Sequence, residues 1–140
     1  MLNRTNTLFS QVKPGDTSFK LDGLRDFFLY RDLGIAEATH GKVIAHFVKA
    51  NMAPEKGIVW HRHEADFQIV IMVKGWAKFM YEDKVTLVSV GDCVHQRPGI
   101  KHYLFDYSAD MECFEIVSPA DFKSIDVEPV CDVPAPTPWE

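Results

Sequence analysis

Short runs of β-branched and aromatic residues recur about every eight to twelve positions along this chain, with turn residues between them. The runs span 26–30, 42–50, 67–73, 76–81, 85–90, 93–97, 102–107 and 112–117. Lys74-Gly75, Glu82-Asp83-Lys84, Gly91-Asp92 and Pro98-Gly99 punctuate them. Strands at this rhythm, without long amphipathic helices, predict an all-β sandwich or barrel. The near-continuous apolar run 67–73 reads as a strand buried on both faces. Residues 32–39 are the one short stretch that reads as a helix.

With 140 residues the chain is expected to form a single domain. Residues 1–24 read as an N-terminal arm or edge strand, 25–120 as the β domain, and 121–140 as a surface tail. The tail carries Pro129, Pro134, Pro136 and Pro138, and lies either on the barrel or on a partner subunit. A net charge of −5 argues against nucleic acid, which demands a basic face. Cys93, Cys113 and Cys131 form no CxxC pair, so neither a disulfide framework nor a zinc ribbon is expected. Cys93 and Cys113 read as buried small hydrophobes. No apolar run reaches membrane-span length, and the N-terminus lacks a signal-peptide core. The expectation is a soluble, cytoplasmic protein with no membrane partner.

The chemistry concentrates in W-H-R-H-E-A-D-F-Q and G-D-C-V-H-Q-R-P-G-I-K-H. His61 and His63 stand two apart, so an extended strand turns both rings to one face. His102 arrives from another strand after the Pro98-Gly99 turn. Imidazoles gathered this way suit Fe(II), Mn(II), Ni(II), Cu(II) or Zn(II). Gln68 follows His63 by five positions, an odd spacing that puts the two on opposite faces of an unbroken strand. Gln68 reaches the histidines only if the backbone turns near Glu64-Ala65-Asp66. Otherwise it is no ligand.

These segments resemble the two motifs of the cupin family. The first, G(X)5HXH(X)3,4E(X)6G, is matched from His61 through Gln68 to Gly75, with Gly57 closer to His61 than the pattern has it. The second, G(X)5PXG(X)2H(X)3N, runs from Gly91 through Gly99 and His102 to Asp106. Arg97 replaces its proline and Asp106 its asparagine. The resemblance implies a jelly-roll antiparallel β-barrel, with the metal held by His61, His63, His102 and Gln68, which stands where the family has glutamate. Three imidazoles and an amide leave a divalent ion its full charge, which favours an anionic small-molecule ligand. Three-histidine cupins include ferrous dioxygenases, so the resemblance implies iron(II) first and a dioxygenase-like oxidoreductase, with a metal-dependent lyase or isomerase, or a non-catalytic binding module, as alternatives. It also implies a homodimer.

Several neighbours are weighed beside these ligands. His46 and His95 read as ordinary hydrogen-bonded strand residues, with a supporting role beside the metal as the alternative. Arg97 reads as half of a surface ion pair, with a substrate clamp as the alternative. Glu64 and Asp66 read as solvated charges, and Phe79, Tyr81 and Tyr103 as packing aromatics.

Overall fold

The computed structural model describes residues 7–21, 27–55 and 59–139. Gly57, the leading glycine of the first motif, lies outside the described residues. Among the described residues, ten strands and one short helix follow in the order β1 (Phe28–Asp32), α1 (Ile35–Ala38), β2 (Ile44–Ala50), β3 (His61–Glu64), β4 (Phe67–Lys74), β5 (Trp76–Tyr81), β6 (Lys84–Ser89), β7 (Cys93–His95), β8 (His102–Tyr107), β9 (Glu112–Ser118) and β10 (Lys123–Asp126). They form two five-stranded sheets, ordered β1-β2-β9-β4-β7 and β10-β3-β8-β5-β6. Every pairing is antiparallel. The result is the jelly-roll barrel that the strand rhythm and the family motifs predict.

Alternation decides what lines the interior. In β4, Gln68, Val70 and Met72 are buried while Ile69 and Ile71 are only half-buried, so the apolar run has one inner face and one partly covered outer face. This differs from the expectation of burial on both sides, because among the described residues the outer face of that sheet is only partly covered. The main core joins Val48, Val70, Met72, Phe79, Val88 and Tyr107 from both sheets. At Gly75, φ is +69° and the Ser108 side chain leaves no room for a Cβ, so only glycine closes the β4–β5 turn.

Beyond Ala120 the chain remains part of the barrel. β10 pairs with β3, setting Ser124 opposite His63 and Asp126 opposite His61. A four-residue strand beside a proline-rich segment carries too little alternation to be read in advance. The rest of the tail lies on its own barrel: Val127, Cys131 and Val133 pack on Trp60, Met80, Tyr103 and Phe105. Asp106, 1% exposed, accepts hydrogen bonds from the Thr137 backbone N–H at 3.1 Å and hydroxyl at 2.8 Å. The Trp139 indole donates to the Tyr107 carbonyl at 3.0 Å. The N-terminal arm touches the other sheet through a two-way backbone bridge between Lys20 and Tyr30. Among the described residues, no helix is long and apolar enough to cross a membrane.

Candidate metal centre

His61, His102 and Tyr81 lie side by side across three strands, because His61 faces His102 and Tyr81 faces His102 in register. His63 is one pleat further along β3, on the same face. The three imidazoles therefore all project inward from one sheet. Ring centroids are 4.2 Å apart for His61–His102, 4.9 Å for His63–His102 and 5.0 Å for His61–His63. One nitrogen from each ring falls within a common span of 4.8 Å.

The backbone break that Gln68 requires is present. β3 belongs to one sheet and β4 to the other, so the chain crosses between sheets at Ala65-Asp66. The crossing resets the phase and turns Gln68 inward from the facing sheet. Its Oε1 lies 2.6 Å from His63 Nδ1. The Pro98-Gly99 turn that delivers His102 is fastened to the same strand, the Gly99 N–H donating to the His63 carbonyl at 3.0 Å. Gly99 has a φ of +82°, which a side chain would strain.

Hydrogen bonds set the tautomers. His61 Nδ1 lies 3.1 Å from the Val59 carbonyl and His102 Nδ1 lies 2.9 Å from the Ile100 carbonyl. A carbonyl only accepts, so each Nδ1 carries the proton and each Nε2 keeps a lone pair. This is how metal-binding histidines are usually oriented. The donor set of His61, His63, His102 and the Gln68 oxygen fits a borderline divalent ion.

Gln96 completes the cluster, and the motif reading passed over it. It is 5% exposed and follows β7. Its Nε2 lies 3.0 Å from Gln68 Oε1, 3.1 Å from His102 Nε2 and 3.3 Å from His63 Nδ1. Its Oε1 accepts from the Tyr81 hydroxyl at 2.9 Å. Burial first, then the Glu115 carboxylate and Cys113, push the Tyr81 pKa above the usual 10.0. Tyr81 thus stays a neutral donor. The available signal was the pleat: β7 points Val94 inward, so Gln96 follows it and His95 does not. A strand of three residues does not declare that phase in sequence.

The remaining expectations sort by face. His95 is exposed, as is Cys93, whose expected burial fails because it sits on the outer face of the edge strand β7. Cys113 is buried, and burial raises its thiol pKa. Arg97 lies 3.3 Å from Glu82 in an exposed ion pair. Glu64 and Asp66 are exposed. Phe79 stacks on Tyr81 inside the barrel, whereas Tyr103 packs on Trp60 beneath the tail. His46 pairs with Glu115 at 3.1 Å, on the strand faces that carry Val48 and Cys113 into the core. In the sequence Glu115 alternates with apolar residues and carries no motif signal.

The family model for the cupin domain matches residues 48–117. The chain belongs to the cupin family. Solved structures agree on the fold of this cupin. It superposes on the polyketide cyclase RemF from Streptomyces resistomycificus with a TM-score of 0.67 at 13% identity, covering 86% of this chain and 87% of that one. A Streptomyces Pac13 variant solved with uridine gives 0.59 at 12% identity over 84% and 91%. The iron(II) form of HppE gives 0.60 at 13% identity over 78% of this cupin and 60% of that chain. No curated protein matches the sequence.

Proposed function

We propose that this cupin is a divalent-metal-dependent enzyme acting on a small anionic molecule. One observation carries the reading: three imidazoles converge within 4.8 Å, and a neutral amide, not a carboxylate, stands beside them. His61, His63, His102 and Gln68 would hold the ion. Four neutral donors leave its charge uncompensated, and an anionic ligand satisfies it. A bound ion would supply Lewis acidity or, as iron(II), a redox centre. The chain's part is to orient the imidazoles through the Val59 and Ile100 carbonyls and to keep a protonated hydroxyl, Tyr81, beside the site.

The first reading is an iron(II) oxygenase of dioxygenase type. The second is metal-assisted elimination or ring closure. It draws on the His46–Glu115 pair, an imidazole and a carboxylate 3.1 Å apart on the inner face of the facing sheet. Two similar structures carry the names of a polyketide cyclase and a nucleoside dehydratase.

Metal analysis of the purified protein, then titration with Fe(II), Mn(II), Ni(II), Cu(II) and Zn(II), tests the core of the proposal. Failure to bind any of them sinks it. Oxygen uptake by the iron-loaded protein with β-diketones, thiols or catechols supports the oxygenase. Loss of water from hydroxylated anions without oxygen uptake supports the second reading. Gln68→Glu is expected to tighten metal binding and weaken azide binding to the loaded protein. An unchanged pair of affinities would place Gln68 outside the coordination shell. The proposed homodimer draws on Phe9, 93% exposed on the arm, and sedimentation analysis checks it.

A further inference from the structure

One assignment of protons satisfies all the hydrogen bonds described around Gln96. Tyr81 O–H donates to Gln96 Oε1, which leaves both amide hydrogens for the imidazole side. His63 Nδ1 lies closest to Gln68 Oε1, at 2.6 Å, and donates to it. The two amide hydrogens of Gln96 then go to Gln68 Oε1 and to His102 Nε2, the nitrogen that the Ile100 carbonyl leaves unprotonated. Among the described residues, no buried side-chain nitrogen or oxygen lacks a partner. In this state Gln96 holds lone pairs that a cation would use.

The spacing around that amide matches a coordination shell. Two ligands each about 2.1 Å from an octahedral ion sit about 3.0 Å apart at neighbouring corners. The Gln96 terminal atom is 3.0 and 3.1 Å from Gln68 Oε1 and His102 Nε2, the two neighbouring atoms whose lone pairs a cation would use. An amide nitrogen has no lone pair to offer an ion, but a glutamine can turn end over end. Oxygen and nitrogen then exchange places with the side chain otherwise unmoved. Tyr81 tolerates the exchange, because a phenol that donates to Oε1 can equally accept from the amide. An apolar neighbour, or one that only donates, would forbid it.

We propose that Gln96 is a reversible metal ligand: its carboxamide donates to the site when empty and turns to present Oε1 when a divalent ion binds, with Tyr81 switching from donor to acceptor. The proposal rests on the metal reading above. It makes Gln96 a filler that keeps the ligands aligned before loading and a coordinating group afterwards. It also narrows the room left on the ion, so that an incoming anion either takes the last position or displaces the Gln96 oxygen.

Zinc titration by calorimetry on the full chain tests this, with Gln96→Leu, Gln96→Glu and the parent compared. Gln96→Leu is expected to bind Zn(II) about 10- to 100-fold more weakly. Gln96→Glu is expected to bind it more tightly than the parent, which a merely structural role would not produce. In the parent, the side-chain carboxamide 13C signal of labelled Gln96 should shift on zinc binding, as a newly coordinated carbonyl does. If Gln96→Leu binds zinc as well as the parent or better, the amide is only displaced and the proposal falls. Should Gln96→Leu misfold, an unshifted carboxamide signal in the zinc-loaded parent overturns it equally. A parent that binds no divalent ion removes the metal reading itself, an outcome distinct from a parent that binds while Gln96 makes no difference.

Discussion

The two faces of β8 do opposite work. His102 and Leu104 face the interior, one in the imidazole cluster and the other against the core. Tyr103 and Phe105 face out, yet each is only 3% exposed, because the tail covers them. A bulge then shifts the phase: Lys78 pairs with Asp106 and Phe79 with Leu104, leaving Phe105 as the extra residue. Beyond it Tyr107 turns inward and Asp106 outward, where it grips Thr137. The inner face near His102 keeps polar groups that point at one another. The outer face is an apolar layer sealed by a strap. The contrast predicts separable defects: stability from the outer face, ion binding from the inner one.

Phe105→Ala should produce the largest effect, about 3–5 kcal/mol lost in chemical denaturation, with zinc affinity unchanged. A large loss of affinity would show that the two faces are coupled. His102→Ala should do the reverse, lowering zinc affinity about 100-fold or more, or roughly 2.7 kcal/mol, by calorimetry. Asp106→Ala removes a buried carboxylate from two tail donors and should cost about 2 kcal/mol. Limited proteolysis should then cut the chain after residue 127, while zinc still binds. If the tail stays protected, the Thr137 clasp is not what holds it.

The smallest effect is a slope. Burial raises the Tyr81 and Tyr107 pKa values above 10.0 in the folded chain, so the unfolded chain ionises first. Their contribution to stability is complete below pH 10 and is lost as pH rises from there towards the folded values. Tyr81→Phe should reduce the alkaline decline by about 1.4 kcal/mol in total between pH 9 and 11, read from denaturation curves across that range. An unchanged slope would mean that Tyr81 ionises normally. The same change also removes the donor to Gln96, so its effect on zinc affinity reports on the inner face.

Much of the molecule was legible before folding. The strand rhythm located eight of the ten strands, and β8 was read to its ends because His102 and Tyr107 sit between clear turns. β10 escaped because a short polar strand gains its identity only from pairing with β3. At the site, His61 and His63 follow from a period of two, and His102 from its turn. Gln68 could be posed only as a condition, since nothing local says whether a chain changes sheets between two strands. Gln96 was passed over for want of a pleat phase, and Glu115 for want of a known neighbour.

Residue chemistry and spacing by themselves determined that this chain is all-β and that His61 and His63 share a face; the barrel and the place of His102 beside them came from the resemblance to the cupin motifs. Tertiary structure alone decided that two carboxamides meet those imidazoles from the opposite sheet. It also decided that Asp106, at the asparagine position of the second motif, clasps the tail through Thr137. Periodicity fixes the side of a strand on which a residue lies. Which sides are brought together depends on sheet crossings, bulges and pairings between residues far apart in the chain, and these are settled only when the whole barrel closes.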